Sequence, residues 1–172
     1  MKKPRFTVAE VEMKRKDKWG RRMEDLRLEA GSASDWECRF RDHDPAVREK
    51  LIRAIMTRGA PNTIRRHVRN WERLRAWRQK EIDKRRESEP DIASRWQLYP
   101  PTEKLITAYI CDRDDTGCEA TVPDAIRAGI RWMGKRLAMP VPDMDDEAIL
   151  AIRDQVIQRA AKPVKEAELL HR

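Results

Sequence analysis

The stretch from Asn62 to Lys84 constrains this chain more than any other. Ile64, Val68, Trp71, Leu74 and Trp77 recur there at three- and four-residue intervals, the period that lays side chains along one stripe of an α-helix. A strand cannot use that pattern, because its successive side chains point to opposite faces. The rest of the sequence supports the same class. With 6 Gly, 2 Tyr and 2 Phe in 172 residues, and few Val, Ile or Thr runs, the chain lacks the material of a sandwich or barrel, while its Arg, Lys, Glu, Ala and Leu favour helix. The sequence therefore predicts an all-α fold.

Capping signals mark the other helices. Thr7-Val8-Ala9-Glu10 has the spacing of a capping box and opens a helix that can run to about Glu29. Its apolar positions, Val8, Val11, Trp19, Met23 and Leu26, are sparse, and Gly20 interrupts them, which predicts a basic, only partly helical arm. Asp44-Pro45 starts a second helix that stops at Gly59. The periodic segment itself starts at Asn62 or Thr63. Pro100-Pro101-Thr102 starts a short helix with Leu105, Ile106, Tyr109 and Ile110 on one face. Thr121-Val122-Pro123-Asp124 opens another, in which Gly129 suggests close helix packing, and Asp143 or Asp145 caps the last, which ends before Pro163. Four core helices are expected, over about 62–84, 102–112, 121–138 and 145–161.

No constellation in the sequence points to catalysis, a metal or a cofactor. Asp112 to Gly117 resembles the start of a calcium loop, but its twelfth position is Pro123 instead of a bidentate Glu. Cys111 and Cys118 have no second pair or nearby His to complete a zinc site, and the three cysteines Cys38, Cys111 and Cys118 form no disulfide framework, which predicts a reducing, intracellular setting. Depending on the host, that is the nucleus, or the cytoplasm and nucleoid. No apolar run approaches a membrane span, and no apolar segment follows the basic residues of the N-terminus. Asp145, Asp146 and Glu147 are accounted for by a helix start.

Charge carries the functional signal. The chain has 38 Lys and Arg against 30 Asp and Glu, for a net charge of +8, which favours polyanionic partners. Residues 61–86 alone hold ten basic side chains against Glu72, Glu81 and Asp83. Arg65, Arg66, Arg69 and Arg73 fall off the apolar stripe, at a spacing that can follow phosphates. The same charges would also suit a solvated face laced by Glu72 with its neighbours. Arg127, Arg131, Lys135 and Arg136 form a second, weaker basic row.

The order of these elements carries a family resemblance. A Thr-capped helix with W-x-x-L-x-x-W (Thr63, Trp71, Leu74, Trp77) is followed by a short helix ending in Tyr109-Ile110, and then by Gly117 and TVPDAIRAGIRWMGKRLAMP. Over about residues 61–170 this resembles the core-binding domain of tyrosine recombinases and phage integrases, and AKPVKEAELL is similar to that family's link into its catalytic domain. The resemblance implies a four-helix, SAM-like bundle that clamps duplex DNA. It implies phosphate or base contacts from Arg65, Arg66, Arg69, Arg73, Arg127, Arg131 and Lys135, and a core built on Trp71, Trp77, Tyr109, Ile126, Ile130, Ile152 and Val156. The family's catalytic residues have no counterpart in these 172 residues, so no strand transfer is expected of the chain alone, and Tyr99 and Tyr109 are not nucleophiles.

The expected organisation is a basic extension over 1–60, a core-binding-like domain over 61–161 and a linker-like tail over 162–172. The expected partners are double-stranded DNA and, through it, a recombinase catalytic domain or other protomers, with a monomer free in solution and no membrane association. The alternative is a helical protein-interaction module that docks its basic helix on an acidic partner, with Trp71, Trp77 and Trp132 as anchors.

Overall fold

The computed structural model describes residues 5–161, and the expected tail over 162–172 lies outside them. Among the described residues the chain is all-helical, with no strand: α1 (Val8–Ala30), α2 (Trp36–Arg39), α3 (Pro45–Met56), α4 (Pro61–Arg85), α5 (Ile92–Arg95), α6 (Glu103–Asp115), α7 (Val122–Leu137) and α8 (Glu147–Ala160).

Three helix starts use the predicted chemistry, while α4 begins at Pro61 after an Ala60 that offers no capping side chain, not at Asn62 or Thr63. The Thr7 side chain accepts from the Glu10 amide while the Glu10 carboxylate accepts from the Thr7 amide at 2.7 Å. This closed box holds the Glu10 carboxyl below its usual range. Asp44 and Thr102 cap α3 and α6 through the amides of Ala46 and Leu105. Two caps differ from expectation. Thr121 makes no side-chain capping bond, since its backbone is helical (φ -81°, ψ -13°) instead of extended, and Asp124, its expected partner in the box, pairs with Arg127 and Arg153. The cap of α8 is Asp146, while Asp143 closes the preceding turn on the Asp145 amide and so leaves the Asp145 carboxylate to arginines.

α4 is the central strut, about 37 Å long at 1.5 Å per residue. It buries Ile64, Val68, Trp71 and Leu74 as its spacing predicts. α1 lies beside it in the same direction, since Trp19 meets Arg69, Arg22 pairs with Glu72 and Glu29 pairs with Arg75. α7 runs the opposite way, with Arg136 near Arg58, Trp132 stacked on His67 and Gly129 near Asn70. α6 and α8 close the far side, where Leu105, Ile106, Ile110, Ile149 and Val156 are all fully buried.

Among the described residues α1 and α3 contribute to this core, so the packing runs across the expected division at residue 60. Met23, Leu26 and Met56 are fully buried in the same cluster as Ile64, Leu105 and Ile149. Gly20 does not interrupt α1. It is where the helix meets the end of α3, and a β-carbon there would collide with the Thr57 methyl. The segment after α1 also caps α7: Ser34 Oγ donates to the Leu137 carbonyl at 2.7 Å, Trp36 Nε1 to that of Arg136 at 2.8 Å, and the Asp35 amide to that of Ala138 at 3.2 Å. These are the orphan carbonyls that every helix end must satisfy. Gly129 is buried against α4, where a β-carbon would meet His67 Nδ1 at an ordinary 3.8 Å; the tighter spot is Gly134, where it would lie 2.6 Å from Val141 Cγ1 in the segment that follows α7.

Of the other predicted core residues, Trp71, Tyr109, Ile130 and Val156 are buried, and Trp77, Ile126 and Ile152 are half-buried against the same cluster.

Candidate nucleic-acid interface

Arg66, Arg69 and Arg73 lie along the outer face of α4, opposite its buried stripe, with Arg65 on the edge toward α1 and exposed Lys80 continuing the line two turns on. All four arginines are exposed. Their charge is not neutralised within the fold, because every acid of the helix is engaged elsewhere. Glu72 pairs with Arg22 of α1, Glu81 with Lys84 and Arg85, and Asp83 with Arg86. The pairing of Glu72 with neighbouring arginines of its own helix, the lacing that a solvated face would need, does not occur among the described residues.

α1 adds to this face. Lys18 lies over the Trp19 ring at 5.3 Å from its centroid and Arg69 at 5.6 Å, so two cations from different helices share one aromatic platform. Lys14 and exposed Arg15 stand on the preceding turn. This junction was not readable from the sequence, since Trp19 and Arg69 are fifty residues apart and only the parallel docking of α1 on α4 joins them. The one local signal was Trp19 following Lys14, Arg15, Lys16 and Lys18 in a segment otherwise poor in apolar residues.

The second predicted row does not survive folding as a free charged face. Arg127 is buried, at 8% exposure, and its guanidinium donates to the Met144 carbonyl at 2.8 Å, to Asp124 at 2.7 Å and to Asp145. It therefore pins the α7–α8 loop and cannot reach a phosphate. Arg131 pairs with the same Asp145 at 2.7 Å. Arg136 donates to the carbonyls of Ile55 and Arg58 and lies over the Trp132 ring. Lys135 alone stays exposed and outside any ion pair among the described residues. The physical reason is the acidic turn at 143–146, which the chain brings back onto α7.

Both tyrosines pack into the core cluster, Tyr109 buried and Tyr99 half-buried. The Tyr99 hydroxyl accepts from Trp71 Nε1 at 3.0 Å, and burial pushes its pKa up to about 12. Burial also raises that of Tyr109. Of the proposed anchors for a protein partner, Trp71 is 2% exposed, Trp77 is stacked on Trp96 and tilted against Tyr109, and Trp132 is stacked on His67 and lies under the Arg136 guanidinium. Asp112 to Asp115 form the last turn of α6, Thr116 is its C-cap and Gly117 at positive φ follows it, with Asp114 bound to Arg159. Among the described residues no group of three or more His, Cys, Asp or Glu is arranged to hold a metal ion, and no helix is long and apolar enough to cross a membrane.

The chain matches no protein-family model, and no curated protein or solved structure is significantly similar to it.

Proposed function

We propose that this chain is a duplex-DNA-binding module of the kind its sequence resembles, a SAM-like core-binding bundle that serves DNA recombination or integration. Arg65, Arg66, Arg69 and Arg73 make its phosphate contacts, with Lys18 and Lys135 at the margins. Binding, not strand transfer, is the activity assigned to residues 1–172. One observation carries this reading: four exposed arginines share the outer side of one rigid helix while each acid of that helix is paired elsewhere. A rigid row of unneutralised guanidiniums suits a rigid row of phosphates, because few rotamers must be frozen and each contact releases a condensed counterion.

The test is a titration of labelled duplex DNA at several salt concentrations. Micromolar or tighter binding at low salt is expected, with a log-log salt slope of about −3 to −4, the value for roughly four phosphate contacts. No binding at low salt removes the proposal.

A further inference from the structure

We propose that the cleft between α4, α6 and α7 binds a small organic acid, with its anionic head on Arg73, Arg113 and Tyr109 and its apolar body on Leu74, Val122 and Ile126. The cleft is a cavity of about 430 Å³, within the usual range for small-molecule sites. Its walls divide chemically. Leu74, Val122 and Ile126 are hydrocarbon, and the Trp77 ring, stacked on Trp96 and tilted against Tyr109, adds an aromatic wall.

The polar groups are nearly all donors. Arg73 and Arg113 both line the cleft and have no ion-pair partner among the described residues. Both guanidiniums act on the Tyr109 hydroxyl, with Asp112 acting in the opposite sense, and burial keeps that hydroxyl protonated and so a donor at neutral pH. Trp77 Nε1 is a further buried donor that meets no acceptor. A buried donor left without an acceptor is costly, and two adjacent unpaired cations repel each other. An occupant that supplies acceptor oxygens and negative charge at the mouth, with an apolar body behind, relieves both. A neutral hydrocarbon relieves neither, and a strongly hydrated inorganic ion leaves the apolar walls empty.

This assignment does not depend on DNA binding, and its test contains no DNA. The whole chain is titrated with 2-naphthoate by calorimetry at constant ionic strength. One saturable site is expected, with Kd of about 1 mM or tighter, the range open to an acid of this size. The neutral isostere 2-naphthamide should bind at least about tenfold more weakly, since only the acid makes charge-assisted bonds. R113Q removes one cation, and A125F fills the mouth from an exposed position on α7. Each should weaken naphthoate about tenfold or more while thermal unfolding stays near that of the parent. K50E, an exposed change on α3 away from the cleft, should retain naphthoate binding within about twofold. Absence of saturation, equal binding of the amide, or undiminished binding by R113Q and A125F would each overturn the assignment.

Discussion

At the scale of single residues, two positions report on how tightly the helices meet. Gly20 looks like a helix breaker, yet it sits where the Thr57 methyl leaves no room for a β-carbon. Replacing it with Ala should cost about 1–3 kcal/mol through overpacking, although Ala is the better helix former by about 1 kcal/mol. Thr57 Oγ1 also bonds the Arg53 carbonyl at 3.0 Å, so Thr57→Ser keeps that bond and deletes only the methyl. The double variant G20A/T57S should therefore recover the loss and reach or exceed the parent, as measured by urea unfolding; an unrescued G20A would place the strain elsewhere. His67 is the second reporter. It is buried, its Nδ1 has no hydrogen-bond partner, and burial together with Arg66 and Arg136 holds its pKa below the ordinary value. An unfolded His takes up a proton near pH 6.5 that the folded one resists, so stability should fall as pH drops below about 7 and stay level above it. H67Q should flatten that segment of the urea-midpoint profile. An unchanged slope would assign the pH dependence to other groups.

At the scale of elements, what could be read from the sequence was what is encoded locally. The bounds of α4, α6, α7 and α8 follow from apolar period and from Pro, Thr and Asp at their starts, signals contained within a few residues. The status of α1 was hidden because its stabilising partners, Thr57, Glu72 and Arg75, lie far along the chain, and only Met23, Leu26 and Ala30 of its apolar residues are buried while Val8, Val11, Met13 and Leu28 are exposed. The exposed arginines of α4 were legible from their spacing, since they need only a face opposite the core. Those of α7 were misread because Asp145 arrives from a loop whose path no local pattern describes. The two readings of Arg127 predict opposite experiments. As a buried anchor its replacement by Ala strands the Met144 carbonyl and should cost about 1.5–3 kcal/mol, while DNA affinity measured well below Tm stays within about twofold. As a phosphate contact it would leave Tm unchanged and make the salt slope shallower by about one. The Asp124 carboxyl, held below its usual range chiefly by Arg153 and then Arg127, adds a stabilisation that is present above the unfolded pKa and lost as pH falls through the folded one, a window well below that of His67.

At the scale of the whole molecule, the question is whether affinity for DNA belongs to a docked surface or to net charge alone. Two triple reversals separate these. R65E/R66E/R69E and K14E/R15E/K18E each change the net charge by the same amount, and all six side chains lie off the buried stripes of their helices. Were α1 a loose arm, as its sequence suggests, its charges would be dispersed and largely screened beyond about 8–10 Å at physiological salt. In the fold α1 is a packed helix parallel to α4, and Lys18 and Arg69 meet over Trp19, so its basic residues flank the α4 row instead of trailing from it. The α4 triple should abolish measurable binding, because it reverses the central contacts and confronts phosphate with carboxylate. The α1 triple should weaken binding by about tenfold, with a salt slope reduced by one to two, since it removes flanking contacts and leaves the row intact. Circular dichroism of both should match the parent. Equal losses in the two variants would mean that only long-range attraction operates, in which case the alignment of Arg65, Arg66, Arg69 and Arg73 on one helix has no part in recognition.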